Sequence, residues 1–241
     1  MSNKFFVIIS FIILSGCSES NSNQINLSTV ISPEYSSYVT IANCNLLEGN
    51  SLINLESFLS SQTIQKKGSK LSLSVLFPDS SSYVNTFLIY AEANLENEAS
   101  KSINNIYLNG LDALASCEYE KPYKSTNLFK NISTLTEEGD YDITEILNCS
   151  YNDGFNYGSF VIAIDRLIQK MEMFKSKYEI DYMELADSKS FIWINRFDNS
   201  FFKEELPEIW LSNPLESTEI QNEFKDNAIC YDATVYKEFS L

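Results

Sequence analysis

Five cysteines and no histidine set the chemistry open to this 241-residue chain. Without imidazole there is no Ser-His-Asp or Cys-His catalysis, no histidine-held zinc and no proximal-histidine haem. Cys17 directly follows an apolar leader, while Cys44, Cys117, Cys149 and Cys230 form an even set with no CxxC spacing among them. That pattern favours disulfides over a metal site or a catalytic thiol, and by count alone every pairing stays open. The 33 acidic residues offer oxygen chemistry instead. The run Glu137-Glu138-Gly139-Asp140-Tyr141-Asp142 could supply calcium ligands, but it lacks the late glutamate of an EF-hand loop and reads as a solvated linker. A pair of carboxylates for glycoside hydrolysis cannot be chosen without geometry. None of the seven glycines builds a phosphate-cradling loop. Aromatic residues make up 13% of the chain. Trp193 and Asn195 share one strand face by alternation, and Trp210 follows on a helix. With Tyr90 and Tyr107 they are candidate lining for a small apolar ligand, set against plain core packing. No cofactor and no metal is implied.

These residues must be delivered to their compartment before they can be positioned. Met1 to Lys4 is a short cationic start, and Phe5 to Leu14 is unbroken apolar sequence. A helix over that run rises only about 15 Å, roughly half a bilayer's hydrocarbon core, so it reads as an export signal rather than a span. The segment Leu14-Ser15-Gly16-Cys17 resembles the lipobox of bacterial lipoproteins. That resemblance implies removal of residues 1–16, acylation of Cys17 and a lipid bilayer as partner. Each buried methylene contributes about 0.8 kcal/mol, so several acyl chains hold essentially permanently. Ser18, in place of aspartate, resembles the pattern sorted to the outer membrane, which implies a protein on the periplasmic face of the cell envelope.

Residues 17–34 are rich in Ser and Asn and read as a flexible tether. The remainder is long enough for a sizeable core, with 44% of the chain apolar. Seventeen basic residues against 33 acidic ones give a net charge of −16, a surface unsuited to nucleic acid. An envelope protein remains a possible partner.

An internal repeat organises that remainder. Asn43-Cys44 with Glu48-Gly49 returns as Asn148-Cys149 with Asp153-Gly154, and each copy closes on a cysteine, Cys117 or Cys230. Phe87-Leu88-Ile89 aligns with Phe191-Ile192-Trp193, and Ile106-Tyr107-Leu108 with Ile209-Trp210-Leu211. The boundaries are 35–130 for the first copy, 131–142 for a linker and 143–241 for the second. Within each copy, period-2 and period-3.6 stretches alternate in the order β-α-β-β-α-β. The expected strands are 38–45, 71–77, 86–93 and 119–128, then 144–150, 181–186, 191–197 and 231–239. The second helix of the second copy should break at Asn213-Pro214, because proline lacks a donor and clashes with the preceding turn.

This order is the ferredoxin-like unit of α+β proteins. Two such units can cover their bare sheet faces with each other, and the duplication resembles the dimeric α+β barrel proteins. The Cys-x4-Gly and aromatic pattern is also similar to uncharacterised two-repeat proteins of environmental bacteria, a likeness that implies no activity. First and last strands are neighbours in a ferredoxin-like sheet, so Cys44 should pair with Cys117 and Cys149 with Cys230. The function expected is a non-enzymatic binding or structural module. The alternative that the resemblance implies is a cofactor-independent, monooxygenase-like enzyme acting on a small apolar molecule.

Overall fold

The structure is a computed structural model that describes residues 32–61, 71–79, 85–119, 121–131, 143–185, 189–198 and 205–241. The expected leader, Cys17, most of the tether and the Glu137–Asp142 run lie outside these residues. The first copy runs β1 (Ser37–Leu46), α1 (Leu52–Ser61), β2 (Ser72–Pro78), β3 (Thr86–Ala93), α2 (Glu96–Leu108), β4 (Ala115–Tyr119) and β5 (Tyr123–Asn131). The second runs β6 (Ile143–Tyr151), α3 (Tyr157–Met171), β7 (Tyr178–Glu184), β8 (Ser190–Phe197), α4 (Leu206–Ser212), α5 (Pro214–Asn227) and β9 (Ala228–Ser240).

Local chemistry explains several boundaries. Gly49 and Gly154, the glycines of the repeated motif, both sit at φ +85°, a conformation that other residues rarely adopt, in the turns that lead from β1 to α1 and from β6 to α3. Helix α3 opens on a capping box in which Asn156 and Ser159 satisfy each other's backbone donors. The break between α4 and α5 falls at Asn213-Pro214, with Asn213 capping α5 and Pro214 in its first turn.

The nine strands are ordered β3-β2-β9-β6-β8-β7-β5-β1-β4, and β3 also pairs with β1. The sheet therefore returns on itself as a barrel, with β4 continuing along the other edge of β1. The two ferredoxin-like units thus form the expected barrel-like pair, and it closes through shared strand pairing rather than by the stacking of sheet faces alone. The difference arises in the last strand of each copy. β9 pairs with β6 of its own copy over Ala228–Lys237, then with β2 of the first copy over Tyr236–Ser240. The first copy divides the same task between β4, paired with β1, and β5, which crosses to β7. The expected single strand over 119–128 is thus two strands.

Three apolar clusters follow from this arrangement. The helices of the first copy cover one sheet face with Leu55, Leu59, Phe87, Ile89 and Ile103. Those of the second cover another with Phe160, Ile164, Phe191 and Trp193. Val39, Leu76, Tyr90, Ile146, Met183, Ile192 and Ile194 fill the barrel interior. Strands such as Phe191–Ile194 are apolar on both faces because one face meets helices and the other meets the interior. Disulfides join Cys44 to Cys117 and Cys149 to Cys230, each pair standing directly opposite across its strands. They close loops of 73 and 81 residues. On the chain-entropy account each contributes on the order of 4 kcal/mol.

Candidate functional site

The second copy carries a cleft of about 420 Å³ between its helices and the first part of β9. Phe160 and Leu167 of α3, Trp210 of α4, and Ile220 and Phe224 of α5 form its walls, with Ala228 and Cys230 beneath. These positions meet because α3 and α5 each turn an apolar stripe toward the sheet. Phe160 and Phe224 stand edge to face at 4.8 Å, and Trp193 packs behind them, 5.7 Å from Phe224. The polar lining is limited to Gln221 and Lys225, and both are exposed.

Trp210 is held in place from two sides. Ser217 Oγ donates to its carbonyl at 2.6 Å, and Lys170 Nζ lies 5.7 Å from its ring. Lys170 is buried and paired with Glu216 at 2.8 Å, a contact that holds the Glu216 carboxyl below its usual range. A buried cation beside an aromatic face gains from the ring quadrupole.

The other candidates from the sequence do not share this cleft. Asn195 is committed to structure: its Oδ1 accepts from Trp193 Nε1 at 2.8 Å and from the Tyr178 hydroxyl at 2.9 Å, and its Nδ2 donates to Glu145 at 2.8 Å. It ties β8 to β7 and β6. Burial pushes the Tyr178 hydroxyl pKa up, and the charge of Glu145 adds to that. Tyr107 packs, half-buried, against the helices of the first copy, and Tyr90 lies in the barrel interior. Of these candidates only Trp210 lines the cleft; Trp193 packs behind its wall, Asn195 braces Trp193, and the two tyrosines stand elsewhere.

The barrel interior holds a charged cluster that sequence reasoning missed. Arg196, 5% exposed, contacts Asp181 at 2.5 Å, Glu238 at 3.8 Å and Glu179 at 4.0 Å. Asn127 donates to both Glu179 and Asp181 at 2.9 Å, and Lys130 pairs with Glu179 at 3.2 Å. Glu238 accepts from Ser74 at 2.6 Å and from Thr144, and the Arg196 guanidinium lies 4.4 Å over the Tyr90 ring. Tyr90, Ser74, Asn127 and Lys130 come from the first copy and the rest from the second. The cluster therefore spans both halves of the barrel. Its signal in the sequence is a set of charges at alternate strand positions, Glu179 and Asp181, with Arg196 opposite Glu179 on the neighbouring strand.

Arg196 and the part-exposed Lys130 are outnumbered by the carboxylates around them, which leaves excess negative charge in a buried cluster. Burial pushes the Asp181 carboxyl up to about 7, outweighing the pull of Arg196, and Glu179 and Glu92 push the same way. A carboxyl whose native pKa is raised holds its proton more tightly folded than unfolded. Its contribution to stability is present at acid pH and is lost as pH rises from about 4 to about 7. Across that window the native protein should lose on the order of 2–4 kcal/mol at this position. In Asp181→Asn that decline should vanish, as read by urea midpoints compared with the unaltered protein from pH 4.5 to 8. Parallel pH curves for the two proteins would contradict the assignment.

No family model matches the chain, and no curated protein matches it. Solved structures do match, at the level of fold. A candidate monooxygenase from Lactobacillus acidophilus superposes with a TM-score of 0.56 at 10% identity, over 84% of this chain and 94% of that one. A candidate monooxygenase from Fusobacterium nucleatum gives 0.55 at 7% identity, over 86% and 93%. A candidate chlorite dismutase gives 0.52 at 8%, over 84% and 94%. The fold is accordingly the dimeric α+β barrel type, built here from two ferredoxin-like repeats in a single chain.

Proposed function

We propose that the protein is a lipid-anchored envelope protein whose folded part binds a small apolar molecule in the cleft between α3, α4, α5 and β9. The observation that carries the binding reading is the cleft itself. Its 420 Å³ lies within the ~300–1,000 Å³ typical of small-molecule sites, and its walls are aromatic and aliphatic. A neutral aromatic probe, N-phenyl-1-naphthylamine, should bind saturably. Leu167→Glu, which sets a carboxylate in the wall of the cleft, should weaken binding at least about tenfold, a cost of about 1.4 kcal/mol. Equal calorimetric affinity for the two proteins would remove the cleft from consideration.

The address rests on the lipobox-like Leu14-Ser15-Gly16-Cys17, which precedes the described residues. In this reading Cys17 carries the acyl chains and Ser18 directs the protein to the outer membrane, facing the periplasm. Among the described residues no helix is long and apolar enough to cross a membrane. Cys17→Ser should move the protein into the soluble fraction after a carbonate wash. Retention of the serine variant in the membrane pellet would overturn the anchor.

Oxygenation of the bound molecule is the second reading, favoured by the names of the fold neighbours. Lys225 is the one titratable side chain of the cleft lining, so the cleft itself offers little to accept a substrate proton. We therefore place binding in the cleft first and oxygenation second. Dioxygen uptake in the presence of a phenolic probe would reverse that preference.

A further inference from the structure

The repeated Asn-Cys pair has a half that disulfide chemistry leaves unexplained. Alternation sends Cys44 to the helix side of β1 and its neighbours Asn43 and Asn45 to the other side, at one mouth of the barrel. There they join Thr86 and Leu88 of β3, Pro78 of β2, and Thr234 and Tyr236 of β9 around a pocket of about 350 Å³. It shares no lining residue with the apolar cleft. The backbone beneath is fixed by strand pairing: Asn43 stands opposite Leu88, Asn45 opposite Thr86, and Pro78 opposite Tyr236. The pocket therefore spans the seam where β2 of the first copy meets β9 of the second.

We propose that this mouth binds a neutral saccharide, with room for a mono- or disaccharide. The lining contains no charged side chain, although the chain as a whole carries a net charge of −16. Two exposed carboxamides, each with donors and an acceptor in one plane, match the alternating donor and acceptor character of vicinal hydroxyls. The Thr234 hydroxyl, whose proton points to the Asp232 carbonyl at 3.5 Å, adds an acceptor. The Tyr236 ring with Pro78 and Leu88 supplies a small apolar surface for the C–H face of a pyranose. An amino acid or a nucleotide would bring charges that nothing in this lining offsets, and burying an unpaired charge is costly. A large apolar molecule would strip water from the two carboxamides without replacing their hydrogen bonds.

The detergent-solubilised full-length protein should be titrated calorimetrically with cellobiose and with di-N-acetylchitobiose, using glucuronate, glutamate and a neutral dipeptide as controls. At least one disaccharide should bind with a Kd in the millimolar range or tighter, and the controls should bind at least about tenfold more weakly. Asn43→Ala removes an exposed side chain from a strand surface, so it should leave the melting temperature unchanged while weakening the disaccharide at least about tenfold. Asn45→Ala should act in the same direction. The proposal is overturned by an absence of disaccharide binding, by controls that bind equally well, or by an affinity that survives both substitutions. Binding of N-phenyl-1-naphthylamine should be unchanged in both variants, which separates failure of this site from failure of the cleft.

Discussion

Arg196→Met should destabilise the protein by about 3–5 kcal/mol, the cost of removing one partner from a buried ion pair. Arg196 is the cation at the centre of the barrel cluster and contacts Asp181, Glu179 and Glu238. Removing it leaves those carboxylates facing one another with Lys130 and a few neutral donors as compensation. Arg196→Lys should restore little, because Nη1 and Nε reach different carboxylates and a single ammonium cannot span them. Replacing Asp181 with Leu in the Arg196→Met background should recover part of the loss by removing a buried carboxyl that has lost its cation. Urea unfolding at pH 7 measures all three. A loss below about 1 kcal/mol for Arg196→Met would mean that water reaches the cluster and screens it.

Separating the two copies should abolish a stable monomeric fold altogether. A cut between Asn131 and Ile143 falls outside the described strands, yet expressing 32–131 and 143–241 apart removes the partners of β2 and β5 from one half and of β7 and β9 from the other. Each half then exposes two strand edges together with its share of the barrel interior, including Val39 and Leu76 or Met183 and Ile194. Unpaired edges beside apolar faces recruit other chains. Each half alone should aggregate or form homodimers, and co-expression should yield a stoichiometric complex. A monodisperse, cooperatively melting monomer from either half would rule out the shared barrel.

Much of this architecture was legible from periodicity and repetition. Thr86–Ala93 and the break at Asn213-Pro214 were readable because alternation and proline chemistry are local. The cysteine pairing was readable because the repeat placed each pair on strands that must be neighbours. The crossing of each last strand into the opposite copy was not, since a period of two reports faces and not partners. A signal for it exists: Tyr123-Lys124 follows Cys117 at the same distance as Tyr236-Lys237 follows Cys230. Each copy also carries an irregularity between cysteine and tyrosine, Pro122 in one and Asp232 at φ 55° in the other. The first separates β4 from β5, and the second coincides with the register shift of β9 against β6. Trp193 on a strand and Trp210 on the following helix were readable from alternation and helical spacing. Asn195 as a brace and Arg196 as the hub of a buried cluster depend on side chains brought from three or more strands, which no local pattern encodes.

The most direct test of the binding function is a crystal of the folded domain soaked with a neutral brominated naphthalene, read by anomalous scattering from bromine. The expected result is a bromine peak between Phe160, Trp210 and Phe224, with the ring system against Leu167 and Ile220. A peak confined to other surfaces, or no peak at a concentration that saturates N-phenyl-1-naphthylamine binding, would contradict the account.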